Sequence, residues 1–545
     1  MSPRVRDALL HVAIALVVTA PVALRPRSVL LGSPNVDVWN HAWGPWWWWH
    51  SISSGTLPWQ TALLRAPDGG TLWFIDPVLA GLGAPLVPLL GTAGAFNAVL
   101  LAEVVFMSWA GRRLARALGA GEAASWVGAV AFTASAWVVC ELHNGITEAV
   151  NIAPVALALA WGHEATEAPS ARAWAKAGLG VGLATLASPY LGLGVGLALA
   201  ARGLPAIRWA WLGGIVAAAV AALPLLALRT QLHSPDAIIK HPESMNLQLA
   251  LHNAVDPRTF VAPLGFRSVD LSAEGFEHSL YLGLLALALA AVGLVRQRRA
   301  APWWLAALLV SLLCSLGPYL YWEDGWLLVN GARLRMPWWW LQQLAPGLAV
   351  THPLRLGVPA LAIVAGLAAA GADRLLGRRA WVLAVLVGVD GLLLSGAPWP
   401  IANAPAEPPA AYASLSGDGA VLDLPTDAAS TLRTSRYRYW QAASHHRPIP
   451  YAPDARASTS ALISAPAFQA LAALCRRRPD EQARMGSPPP GASTHPATLA
   501  ARGVRWIVLH PDVDPAVTDT LREALEADLG PGQDTDGTLV WELSP

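Results

Sequence analysis

Apolar runs recur along the first 395 positions, separated by short polar connections and a few long ones. About eleven approach the length needed to cross a bilayer: 8–24, 93–110, 124–139, 149–161, 175–187, 190–201, 209–228, 280–295, 303–316, 356–372 and 380–394. The run at 149–161 and the pair flanking Pro189 fall short of the ~17 residues of a spanning helix and are expected to tilt or break. Past position 396 the pattern changes to soluble composition after a Pro-rich entry, APWPIANAPAEPPA.

Arginine and lysine in the short connections give the expected orientation. Arg4 and Arg6 precede the first run, and Arg112, Arg113 and Arg116 follow the second. Arg172, Lys176, Arg202, Arg208, Arg296, Arg298, Arg299, Arg374, Arg378 and Arg379 continue the series. With eleven alternating segments every one lies on the same side, which places the N-terminus in the cytoplasm. The start has the basic tip and small residues of a signal peptide, but the further segments favour an uncleaved first helix. The long connections, 25–85, 229–279 and 317–355, then lie outside.

The division is therefore a membrane domain over 1–396 and an extracytoplasmic domain over 397–545. In the latter, GAVLDLP and GVRWIVLH read as short buried strands and 518–527 as a helix, with a Pro/Gly/Ser loop at 486–493. The fold class expected is an α-helical polytopic membrane protein with a small C-terminal α/β domain. No internal repeat is visible.

Composition agrees. Residues of the AVILMFWYC set make up 54% of the chain and charged ones 13%, about half the share in a soluble protein. Mean hydropathy is +0.42. These values exclude a disordered chain, a nucleic-acid binder and an ordinary soluble enzyme. The net charge of +1 selects no partner. Cys140, Cys314 and Cys475 form no metal or redox spacing. There is no P-loop, Rossmann glycine fingerprint, HExxH or GxSxG.

The first long connection is dense in tryptophan: Trp39, Trp43, Trp46 to Trp49, Trp59 and Trp73. Indoles favour the membrane–water boundary, so 38–52 is expected to be a helix lying along the outer leaflet. Asp37 stands just before it, either as the helix N-cap or as a general base at the membrane surface.

Other polar residues sit where burial is costly unless they face a cavity or find partners. Glu141, His143, Asn144 and Glu148 cluster after the third run; either glutamate is a possible second acid, and His143 a possible substrate or metal contact. Asp76 is another candidate acid, or part of a turn with Pro77. Glu277, His278 and Tyr281 open the eighth run. Arg333, Arg335 and Arg355 lie outside against the positive-inside bias and suit phosphate, although an arginine there can also snorkel to headgroups. Glu103 and Asp390 lie within apolar runs and receive no chemical role; His445 and His446 read as surface or packing residues.

Several stretches together resemble the GT-C superfamily of integral-membrane glycosyltransferases, close to bacterial multi-span members with an outer α/β domain. LLRAPDGGTLWFIDP resembles a "YP-x-G" segment followed by an acid. GLAVTHPLRLGVPALAIVAG resembles an "R-x-P-x-R" entry to a late span, with His352 in place of the first Arg and Arg355 matching the second. EHSLYLGLLALALAAVGL resembles a "Y-LG" start. In the tail, GAVLDLP, YWQAASHHRPIPY and LAARGVRWIVLHPD are similar to "VLELP", "Q-x-x-H-x-x-P" and "LGVRYVVLH". Asp37 matches the acid near the start of the first outer loop, though it lacks the adjacent second acid that many members carry.

The resemblance implies transfer of a sugar from a polyprenyl-phosphate donor to an extracytoplasmic glycan, lipid or protein acceptor. The setting implied is a bacterial inner membrane. Asp37 would be the base, and Arg355, with Arg333 and Arg335, would bind the donor phosphate. Asp76, Glu141, His143, Glu148, Glu277 and His278 would line the cavity, with a divalent metal possible. Rival readings are a non-catalytic assembly protein of the same fold and a lipid or solute transporter, for which symmetric halves would be expected.

Overall fold

The computed structural model describes residues 2–72, 76–203, 207–239, 243–263, 276–323, 325–345, 350–426, 431–452, 460–475, 493–512 and 514–544. Most of the loop expected at 486–493 lies outside the described residues.

Each apolar run forms helix. In chain order the helices of the first part are α1 (Pro3–Val18), α2 (Val38–Ser53), α3 (Pro77–Gly83), α4 (Val87–Ala117), α5 (Ser125–Thr133), α6 (Ala136–Asn144) and α7 (Thr147–Val150). Then follow α8 (Ala153–Glu167), α9 (Ala171–Ala187), α10 (Pro189–Gly203), α11 (Ile207–His233) and α12 (Glu243–His252). The series ends with α13 (Leu284–Arg296), α14 (Ala301–Ser315), α15 (Pro337–Leu344), α16 (Val358–Leu376) and α17 (Trp381–Val389).

Among the described residues four stretches are long and apolar enough to cross a membrane: Pro77–Ala117, Ser125–Asn144, Trp209–Gln231 and Pro353–Arg379. Leu284–Arg296, Ala301–Ser315 and Trp381–Leu394 are shorter apolar helices. Fewer stretches reach spanning length than the runs suggested, because local chemistry cuts them. Ser170 caps α9 and α10 begins at Pro189, so the 175–187 and 190–201 runs stay short and separate.

The centre of the bundle is α16, whose residues Val358 to Ala372 are all buried. It is rich in Ala and Gly, and this lets backbones approach without a hydrophobic driving force. A Cβ on Gly371 would stand 1.9 Å from the Leu289 carbonyl oxygen, and one on Gly293 would stand 2.1 Å from that of Leu367. Helices α13 and α16 therefore cross backbone to backbone.

The tail holds a four-stranded sheet. Its strands are β9 (Ala420–Leu424), β10 (Val504–Leu509), β11 (Gln533–Thr535) and β12 (Thr538–Glu542), in the order β11-β12-β10-β9. β9 and β10 run parallel; the other pairs are antiparallel. Helices α18 (Thr431–Trp440), α19 (Pro466–Leu474) and α20 (Pro515–Leu529) accompany it, the last covering the stretch expected at 518–527.

This tail is joined to the first long connection. Val29–Leu31 (β1) pairs antiparallel with Asn403–Pro405 (β8), and within the same connection Gln60–Thr61 (β2) pairs antiparallel with Gly70–Thr71 (β3). The surface helix expected over 38–52 exists as α2, but its tryptophans are not spread on lipid. Trp43, Trp46 and Trp47 are buried in one hydrophobic cluster with tail residues such as Tyr437, Ile449 and Tyr451. The indole N–H of Trp43 donates to Gln441 Oε1 at 3.0 Å, and Gln441 Nε2 donates to the carbonyls of Leu63 (2.8 Å) and Arg447 (2.7 Å). Buried Arg438 donates through Nε to Asn40 Oδ1 at 3.2 Å. A buried indole N–H needs a partner, and the tail supplies it here where water would have done so at an interface.

Candidate active site

Three separate parts of the chain meet at one buried polar cluster. The first is α2. Asp37 precedes it and is half-buried. Its carbonyl oxygen accepts from the amides of Asn40 and His41, but its side chain does not cap the helix. One turn on, His41 is buried and its Nδ1 lies 2.9 Å from Thr147 Oγ1.

The second part is the turn between α6 and α7. Gly145 there adopts φ 68°, which ends α6 in the left-handed conformation glycine tolerates. Any Cβ on Gly145 would stand 2.5 Å from the Val38 Cα, so this turn packs directly on the start of α2. The Ser33 amide donates to the His143 carbonyl at 2.7 Å. Thr147 and Glu148, both buried, follow.

The third part is the short turn Pro353–Gly357 that leads into α16. It presents Arg355, which is only 5% exposed. Arg355 Nη1 donates to Glu148 Oε1 at 3.0 Å, and His41 Nδ1 lies 3.5 Å from the other Glu148 oxygen. The Arg355 guanidinium also sits 5.5 Å from the Tyr190 ring centre. Burial alone would raise the Glu148 carboxyl, but the neighbouring His41 and Arg355 outweigh it and hold the group below the usual glutamate range.

Two more carboxyls border this pair. Asp76 is fully buried and caps α3, accepting from the Leu79 amide at 3.0 Å. Burial, reinforced by the nearby Glu148 charge, pushes it up to about 7 against the pull of that amide. Glu103, buried in α4, lies within electrostatic reach of Asp76. A small, mostly apolar cavity opens alongside, bounded by His41, Leu79, Phe96 and Thr147.

Glu141 is fully buried and bonds His278 Nδ1 at 2.7 Å. Glu277 contributes its backbone: its amide donates to Asn144 Oδ1 at 2.9 Å, and its carbonyl accepts from Asn144 Nδ2 at 2.6 Å. This zips the end of α6 to the segment before α13. Asp390, which sequence left without a role, accepts from the Tyr281 hydroxyl at 2.7 Å and the Leu285 amide at 3.0 Å, anchoring the same segment.

Of the residues that the sequence singles out, the structure brings Asp76, Glu141, Glu148 and Arg355 into one neighbourhood near the start of α2. It places Arg333 and Arg335 elsewhere. Arg333 stacks on Tyr319 and Trp326, and Arg335 on Trp339 and Trp340, all within one hairpin-and-helix segment. His41 was missed. The only signal was its position four residues after Asp37, on the same helical face, within a tryptophan run that drew the reading elsewhere.

Among the described residues no three His, Cys, Asp or Glu side chains are placed to hold a metal ion. Glu148 is engaged by Arg355 and His41, and Glu141 by His278. Among the described residues these side chains are committed to one another rather than arranged around a divalent metal.

No family model matches the chain, and no curated protein matches it in sequence. Solved structures do match. The arabinofuranosyltransferase AftD from Mycobacteria superposes with a TM-score of 0.60 at 16% identity, over 100% of this chain and 40% of that one. This chain spans about two fifths of that enzyme's length. Looser likenesses are the oligosaccharyltransferase AglB from Archaeoglobus fulgidus, solved with an inhibitory peptide and a dolichol-phosphate (TM-score 0.48, 12% identity, 99% of this chain and 74% of that one), and ArnT from Cupriavidus metallidurans bound to undecaprenyl phosphate (TM-score 0.46, 15% identity, 98% and 99%). The buried acid and arginine cluster therefore sits in a chain whose fold is that of the matching two fifths of AftD.

Proposed function

We propose that the protein is a membrane glycosyltransferase that takes a sugar from a polyprenyl-phosphate donor and passes it to an extracytoplasmic glycan, lipid or protein acceptor. About eleven crossings, a cytoplasmic N-terminus in a bacterial inner membrane and an outer C-terminal α/β domain complete the reading. The observation that carries it is the convergence of the first long connection, the α6–α7 turn and Arg355 on one polar cluster within an apolar bundle. Buried ionisable groups among membrane helices are costly and mark functional sites.

In the proposed reaction Asp37 accepts the proton of the acceptor hydroxyl as its oxygen attacks the anomeric carbon. The bond from that carbon to the phosphate oxygen breaks, and the phosphate leaves with the electron pair. Arg355 receives the leaving phosphate. Glu148 orients the guanidinium before the donor arrives, so no reorganisation is needed as charge develops. Asp76 is poised to hold or release a proton near neutral pH beside that pair.

The test is transfer of radiolabelled sugar from a panel of polyprenyl-phosphate sugars in membranes, comparing the wild type with Asp37→Asn. Asparagine keeps the size and removes the base. Transfer by the wild type that is lost in a folded Asp37→Asn variant supports the reading. Equal transfer by both removes Asp37 from the reaction, and no transfer from any donor favours the non-catalytic assembly protein.

A further inference from the structure

A second surface lies at residues 318–344, between α14 and the turn that carries Arg355. Four short strands, β4 (Tyr321–Trp322), β5 (Gly325–Trp326), β6 (Leu328–Val329) and β7 (Ala332–Arg333), form two hairpins. They are stitched together by backbone bonds from Leu327 N to Leu320 O (2.9 Å) and from Leu334 N to Leu327 O (2.9 Å). Asn330 and Gly331 both have positive φ, at 52° and 77°, which suits the tight turn of a two-residue hairpin.

The tip of this finger is apolar and uncovered. Leu327, Leu328 and Val329 are successive and all exposed, Leu328 by 58%. A water-facing hairpin would alternate apolar and polar positions instead. Helix α15 repeats the inversion. Its Trp338 is fully buried in a cluster with Cys314, Val310 and Leu356, and this fixes α15 to the end of α14; its opposite side exposes Trp340 and Leu344. On α14, Leu305, Leu309 and Leu313 are likewise exposed at helical spacing. The uncovered apolar surface therefore continues from the side of a bundle helix onto the finger.

Charge adds a direction. From 318 to 345 the chain carries Arg333 and Arg335 together with two acids, Glu323 and Asp324, both of which precede the apolar tip in sequence, whereas the arginines follow it. Both guanidiniums stack on indoles, Arg335 at 4.1 Å from the Trp339 ring centre. The neighbouring acid Glu323 is already met by Arg258 at 3.8 Å.

We propose that this finger and the outward side of α15 dock into the lipid leaflet at that end of α14. The apolar tip and Trp340 enter the acyl boundary, and Arg333 and Arg335 meet the phosphates of anionic phospholipids. The occupant is ordinary bilayer lipid, and the inference does not depend on any transfer reaction.

The experiment uses the full chain in nanodiscs of phosphatidylcholine, with or without phosphatidylglycerol. Leu328→Cys carries an environment-sensitive fluorophore; the native cysteines are buried. Asp519→Cys, exposed in the tail, is the aqueous control. Nitroxide lipids labelled near the headgroup should quench the Leu328→Cys probe severalfold more than the control. Phosphatidylglycerol should increase that quenching, and a combined Arg333→Gln, Arg335→Gln background should abolish the increase. Quenching at Leu328→Cys equal to that at Asp519→Cys overturns the docking. Quenching that ignores phosphatidylglycerol, or an increase that survives loss of both arginines, overturns the assignment to anionic lipid.

Discussion

Removing one partner of the Arg355–Glu148 pair isolates a charge in a place where each side chain is about 5% exposed. Breaking a buried pair in this way typically costs about 3–5 kcal/mol, most of it from the uncompensated charge left behind. Arg355→Met should fall within that range at neutral pH, because Glu148 then keeps only His41 at 3.5 Å. Glu148→Gln should fall at the low end, because Glu141 remains within electrostatic reach of Arg355. The double variant removes both charges and should recover most of the loss. The pH dependence has a definite sign. In the wild type the Glu148 carboxyl is held below its usual range, so its contribution is present above about 4.5 and is lost as pH falls further. In Arg355→Met the sign reverses, and mild acid should stabilise by letting Glu148 take a proton. The assay is the half-life of the folded protein in detergent at a fixed temperature, since a chain of this size is expected to unfold irreversibly. A double variant as short-lived as the sum of the singles would refute this account of the pair.

Asp76→Asn should remove a pH-dependent cost. Its carboxyl is raised from 3.8 to about 7, so the folded state binds the extra proton and stability falls as pH rises between these values. The full span is on the order of 4 kcal/mol. From pH 5 to pH 8 the variant should show a smaller fall, or a larger rise, in thermal stability than the wild type, the difference being the Asp76 contribution. In the tail, burial depresses His445 to about 4 and lowers His510 as well. The His445 imidazole is therefore held neutral down to about 4 in the folded state, so proteolysis of the tail should accelerate as pH drops below about 6.5. Gln441→Ala orphans the Trp43 indole and two carbonyls, and should loosen the tail by about 1–3 kcal/mol, seen as faster cleavage within 403–545. Gly371→Leu should prevent close approach of α13 and α16 and sharply reduce the monodisperse fraction in size exclusion, whereas the exposed Leu328→Ala should leave it unchanged.

What could be read from the chain depended on how local the cause was. Helix positions followed from runs of apolar residues, and Asp76 before Pro77 was legible both as an acid and as a turn former; it is in fact a buried helix cap. Strands β9 and β10 showed as short apolar runs. The tryptophans of α2 misled because an indole suits either lipid headgroups or a protein partner. The partner here, Gln441, lies 398 positions away and leaves no mark near Trp43. A shorter separation, 106 positions to Thr147, hid the role of His41, whose meaning depends on Thr147 and Glu148. Arg333 and Arg335 were grouped with Arg355 by type and side, but an arginine beside aromatic residues stacks on them first.

The bond from Trp43 to Gln441 also sets a timetable. At about 5–20 residues per second, synthesis of the intervening 398 residues takes on the order of 20–80 seconds. During that interval α2 has emerged with its indoles uncovered, and the partners that will bury them have yet to be translated. The helix that forms one wall of the candidate site must therefore wait in a provisional environment, with lipid headgroups or a chaperone standing in for the tail. The general preference of indole rings for a membrane–water boundary, misleading as a guide to the final structure, is suited to that earlier stage. Completion of the packing around α2 is thus gated by translation, and the tail that completes it supplies none of the acids in the cluster.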